Sequence, residues 1–100
     1  MTGRPPTLSD VLGVLQAIRV KAGAHGVELI GVAGSVARQQ AGPQSDVDVV
    51  YRVSGHPTLF TLGDLQMDLQ DALGSPVDLI DLALVKPRLR AEIERDLVRV

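Results

Sequence analysis

At 100 residues, 45% hydrophobic and 22% charged, with a formal charge of −2, the chain has the size and make-up of one globular domain. Cysteine is absent and the aromatics are one Phe and one Tyr, which removes disulfides, thiolate metal sites and the stacking platforms that single-stranded nucleic acid uses. The mild acidity argues against direct nucleic-acid binding, and the absence of a signal pattern or a long apolar run leads us to expect a cytoplasmic protein with no membrane contact.

Residues 1–7 read as loose. Thr7 or Ser9 is placed to cap a helix over 8–23, where Leu8, Val11, Leu12, Leu15, Ile18 and Ala22 recur at helical spacing. Gly23 and Gly26 end it. The β-branched stretch VELIGVAG (27–34), bounded by glycine, reads as a strand. SVARQQAG has room for about two helical turns, opened by Ser35 and stopped by Gly42-Pro43. A second strand follows in DVDVVYRV (46–53). Leu59, Leu62, Leu65, Leu69, Ala72 and Leu73 then mark a helix over 59–73, stopped by Gly74 and Pro76. VDLIDLAL (77–84) is a third strand, Pro87 opens a helix over 87–95, and LVRV has the character of a short terminal strand. The order suits a mixed or antiparallel sheet packed on helices from one side.

One pattern does not fit plain packing. In a strand, Asp46 and Asp48 share a face roughly 7 Å apart, while Val47 and Val49 face the other way. Carboxylates held that close repel, and a divalent cation is the usual remedy. Asp78, between Val77 and Leu79, repeats the anomaly in another strand. A third strand-borne acid is what a hard ion such as Mg2+ would take. Gly34-Ser35 lies where a strand turns into a helix start, a place that offers free N–H groups, close backbone approach and a hydroxyl to phosphate. Arg38, one turn on, is placed to reach the same anion. Metal-binding acids facing a phosphate-binding turn describe a nucleoside-triphosphate site for two-metal phosphoryl chemistry.

Gly34-Ser35, ten intervening residues, Asp46-x-Asp48 and a later strand Asp78 together resemble the signature of the DNA polymerase beta-type nucleotidyltransferases. The resemblance runs from Leu8 to Val100, and the length is similar to that of the minimal nucleotidyltransferases. It implies an α/β (α+β) polymerase beta-like core, a mixed sheet of three to four strands packed against helices, in a single domain over 1–100. By resemblance, Asp46, Asp48 and Asp78 are catalytic and bind two Mg2+ ions, and Asp78 also helps deprotonate the acceptor hydroxyl. Gly34, Ser35 and Arg38 then bind ATP. The minimal members imply an antitoxin that adds AMP to a tyrosine of a HEPN-domain RNase toxin. The alternative is a stoichiometric antitoxin that covers the toxin without catalysis. A phospho-acceptor signalling domain fits less well, because it wants an adjacent acid pair and a late strand lysine. Two departures from the family pattern are Val36 after the serine and Gln39 after Ala37-Arg38.

The remaining polar residues have plainer readings. Asp64, Asp68 and Asp71 belong on a solvated helix face, Asp81 on the surface, and His25 and His56 in structural loops. Arg88 with Glu92, and Arg90 with Glu94, are spaced for helix-surface pairing. A protein acceptor also implies an open cleft, with an exposed apolar patch beside it.

Overall fold

The computed structural model describes residues 5–100, and its elements follow the expected order. Helix α1 (Leu8–Ala24) starts on Thr7, whose hydroxyl accepts from the Asp10 N–H while the Asp10 carboxylate accepts from the Thr7 N–H. Of the segment expected to be loose, residues 1–4 lie outside the described residues, and Pro6 is buried. Strand β1 (Val27–Ala33), the single turn α2 (Gly34–Ala37) and strand β2 (Val47–Val53) follow. Helix α3 (Leu59–Leu73) is capped by Thr58 and closed by Gly74 in the left-handed conformation, φ 67°. Strand β3 (Val77–Asp81), helix α4 (Pro87–Asp96) and the two-residue strand β4 (Val98–Arg99) complete the fold.

The sheet has the order β3-β2-β1-β4. Strand β2 is antiparallel to β1 and parallel to β3, and β4 is antiparallel to β1. It is therefore mixed. The C-terminal end of β1 and the N-terminal ends of β2 and β3 meet at one edge of the molecule, which we call the acid end. No helix among the described residues is long and apolar enough to cross a membrane.

Three expectations are corrected. The stretch after Gly34 forms one turn instead of two, because Gln39 takes a left-handed φ of 59° and breaks the helix. Strand β3 stops at Asp81, not at 84, because the Asp81 carboxylate accepts from the Ala83 N–H at 3.0 Å and fixes a turn. The helices do not all lie on one side. Val11 and Leu15 of α1 and Leu65 and Leu69 of α3 join Val27, Leu29, Val32, Val47, Val49 and Val77 in the main core. Ile93 of α4 packs on Ile30, Ala33 and Val50, on the other face.

A bulge in β1 makes this two-sided arrangement possible. Leu29 pairs with Tyr51 and Gly31 with Val50, so Ile30 is an extra residue on its strand. Its insertion resets the alternation: Leu29 and Val32 serve the main core, while Ile30 and Ala33 serve the α4 side. Gly31 sits against β4, where a Cβ would collide with the Val98 carbonyl.

Candidate active site

Asp48 is the second residue of β2, in register with Asp78 on β3 and with Ala33 on β1. Registered neighbours on parallel strands project to the same face, about 5 Å apart. Val47, Val49 and Val77 are buried in the main core, so alternation turns Asp48 and Asp78 to the α4 side. There α4 covers Val50, with Ile80 packed at the edge of the cluster. Asp48 and Asp78 lie one strand repeat beyond that cover. Asp48 is half-buried and Asp78 is exposed. Asp46 is also exposed, in the last loop position before β2, and the adjacent Val47 N–H bonds to the Pro76 carbonyl at 2.9 Å. That bond holds the starts of β2 and β3 together.

Gly34 closes the site from β1. Its φ is 72°, in the region that side chains rarely adopt, and a Cβ there would overlap Oδ2 of Asp48. The glycine therefore serves both the sharp turn out of β1 and the space for the acid. Helix α2 starts at Gly34 with Ala33 as its cap, so Ser35 is its second residue and not its cap. No side chain caps this turn, which leaves its first N–H groups without an intrahelical partner. Ser35 is half-buried, and its hydroxyl makes no hydrogen bond among the described residues.

The charges act on one another. Burial pushes the Asp48 carboxyl above the usual carboxylate range, the negative charges of Asp78 and then Asp46 push it further, and the Arg38 guanidinium opposes them. Among the described residues, none of the three carboxylates accepts a hydrogen bond. Arg38 is exposed just after the α2 turn, and its side chain has partners. Its Nη1 contacts Oδ2 of Asp96 at 2.6 Å, and its Nε donates to Oε1 of Gln40 at 3.3 Å.

Three carboxylates form an oxygen-only donor set, which suits a hard divalent cation. Among the described residues, however, no three acidic or histidine side chains are grouped closely enough to hold a metal ion as they stand. The chemistry of the donors fits a cation; their present spacing is not a finished cage.

Asp68 keeps the solvated helix face read from the sequence and pairs there with Lys21 at 2.7 Å. Other polar residues depart from their sequence reading. Asp81 is half-buried beside Tyr51, whose hydroxyl is pushed up first by burial and then by the Asp81 charge. Neither Arg88–Glu92 nor Arg90–Glu94 forms an ion pair among the described residues; Arg90 donates instead to the Ala83 carbonyl at 3.3 Å. Asp96 and Gln40 were missed at the site. Asp96 stands 58 positions from Arg38, and no local pattern links the two. Of the exposed large apolar side chains, Val53, Leu59, Phe60 and Leu84 lie at strand and helix ends away from the acids, and Val20, Met67 and Leu89 lie on helices.

Comparison with known proteins follows the same outline. Residues 16–99 match the family model "Polymerase beta, Nucleotidyltransferase". The protein adenylyltransferase MntA of Thermococcus cleftensis is 32% identical over 95 residues, covering 94% of this chain and 96% of that protein. The solved structure of a candidate minimal nucleotidyltransferase aligns with a TM-score of 0.80 at 29% identity, covering 94% and 96% of the two chains. A chain in the complex of a tri-AMPylated Shewanella oneidensis HEPN toxin with its MNT antitoxin aligns with a TM-score of 0.61 at 21% identity, covering 90% of this chain and 70% of that one. That last likeness is one of fold.

Proposed function

The chain belongs to the polymerase beta nucleotidyltransferase family, and from that premise we propose that it transfers AMP from ATP to a tyrosine hydroxyl of a HEPN-type toxin, as an antitoxin. The observation that carries the reading is the in-register pair Asp48 and Asp78, set against the side-chain-free Gly34 with Asp46 alongside. The names of its relatives, a protein adenylyltransferase and an MNT antitoxin bound to an AMPylated HEPN toxin, lend the acceptor and the nucleotide.

In this reading the residues have distinct tasks. The turn at Gly34-Ser35 receives the triphosphate through its unpaired N–H groups and the Ser35 hydroxyl. Asp46, Asp48 and Asp78 are the residues that would hold divalent cations, Mg2+ by the hardness of the donors. When bound, such ions neutralise the triphosphate and make the acceptor hydroxyl a better nucleophile. The acceptor oxygen forms a bond to the α-phosphorus, the bond to the bridging oxygen of the β-phosphate breaks, and pyrophosphate leaves. Asp78, exposed at the site's rim, takes the proton of the attacking hydroxyl.

A transfer assay tests this. Labelled AMP should pass from ATP to a purified HEPN toxin in the presence of Mg2+. Asp46→Asn and Asp48→Asn should each cut the rate by roughly 100-fold or more, because each removes a ligand charge from the transition state. A toxin that acquires no label, at any divalent cation, would sink the proposal. The stoichiometric reading would gain if that unlabelled toxin were still silenced.

A further inference from the structure

We propose that Asp96, together with Gln40, is a positioning residue that aims Arg38 at the bound triphosphate. The inference rests on the nucleotidyltransferase reading and adds to it residues outside the family signature.

The guanidinium of Arg38 is held at two of its three nitrogens. Nη1 is bound by Asp96 and Nε by Gln40, while Nη2 has no partner among the described residues. A planar group fixed on two sides presents its remaining N–H donors in one orientation, and less side-chain entropy is lost when an anion arrives. Both holders are themselves anchored. The Gln40 N–H donates to the Ser35 carbonyl at 2.8 Å, tying Gln40 to the turn that carries Ser35. Asp96 ends α4 two residues before Val98, which pairs with Val32 of β1. The Arg38 N–H donates to the Gly34 carbonyl at 3.1 Å, so Arg38 closes the same turn that Gly34 opens against Asp48.

The pair does little as a stabilising device. The Arg38 side chain is 46% exposed and Asp96 25%, and ion pairs this open contribute little to folding. Its value lies in where it places Arg38. That Asp96 and Arg38 stand 58 positions apart also makes the arrangement sensitive to how α4 and β4 are seated.

The test measures ATP affinity and steady-state AMP transfer for the full chain, comparing wild type with Asp96→Asn, Asp96→Glu, Gln40→Ala, Arg38→Gln and the Asp96→Asn/Arg38→Gln double variant. Asp96→Asn should raise both the Kd and the KM for ATP by about 5- to 10-fold, with kcat changed by less than about twofold. Gln40→Ala should move the same constants in the same direction by less, and Asp96→Glu should restore part of the loss. In the Arg38→Gln background, Asp96→Asn should add nothing, because its effect passes through Arg38. Tighter ATP binding by Asp96→Asn would make Asp96 a competitor of phosphate and overturn the proposal. So would an unchanged KM, or an effect that persists without Arg38. Wild type that transfers AMP while Asp96→Asn does so equally well defeats this inference alone; wild type that neither binds ATP nor transfers AMP defeats it along with the function it rests on.

Discussion

Gly34 and Asp48 occupy space that only this combination shares. A methyl at position 34 must tolerate φ 72° and also displace Oδ2 of Asp48. Gly34→Ala should therefore destabilise the fold by about 1–2 kcal/mol from the backbone alone. It should also abolish AMP transfer by pushing Asp48 off register, which thermal melting and the transfer assay would report together. Asp48 itself is a cost to the fold once it is ionised. Its folded-state pKa is raised, first by burial and then by Asp78 and Asp46, so the folded chain holds that proton to higher pH than the unfolded chain does. The associated stability is fully present below the ordinary carboxylate range and is lost as pH rises through the folded value. Without added metal, Asp48→Asn should accordingly melt higher than wild type near neutral pH. The difference should disappear at about pH 3, where both states of the wild type are protonated. A variant that melts lower than wild type at neutral pH would mean that Asp48 is paired, not strained.

At the scale of elements, most spans were legible because periodicity and punctuation agree. Thr7, Gly74 and Pro87 stand where helix ends need a cap, a left-handed residue and a first-turn proline. The failures have physical causes that lie outside the local pattern. Gln39 accepts a positive φ without being glycine, so nothing in SVARQQAG announces a single turn. Asp81 ends β3 through its own carboxylate, in a run that reads as unbroken strand. The bulge at Ile30 is invisible until β1 is paired, and with it the second apolar face that receives α4. Gly31 is the hinge of that arrangement. Gly31→Ala would drive a methyl into the Val98 carbonyl, costing about 1–3 kcal/mol by overpacking and unseating β4. Amide exchange should then rise at Val98 and at Val100, whose N–H bonds to the Ile30 carbonyl, while α1 and α3 keep their protection. Equal loss of protection everywhere would mean that β4 is not a separable element.

For the whole molecule, the candidate site was more legible than its supports. Asp48 and Asp78 each interrupt an apolar strand, and such an interruption carries information because packing alone would not choose it. The pairing of Asp48 with Asp78, and the approach of Gly34 to Asp48, then follow from sheet order and register. The setting of Arg38 did not follow, because a guanidinium on a four-residue turn has no partner until α4 folds back across the sheet. The exposed apolar residues at strand and helix ends away from the acids likewise depend on where the loops fall, not on any motif. An enzyme differs from a stoichiometric cover by turnover: one chain should modify many acceptors. The direct measurement is a titration of HEPN toxin activity with this chain at about one part to twenty, with ATP and Mg2+ supplied or withheld. Catalysis requires that the toxin be fully silenced at that ratio and only when ATP and Mg2+ are present. Silencing that needs one chain per toxin and proceeds without ATP would contradict it.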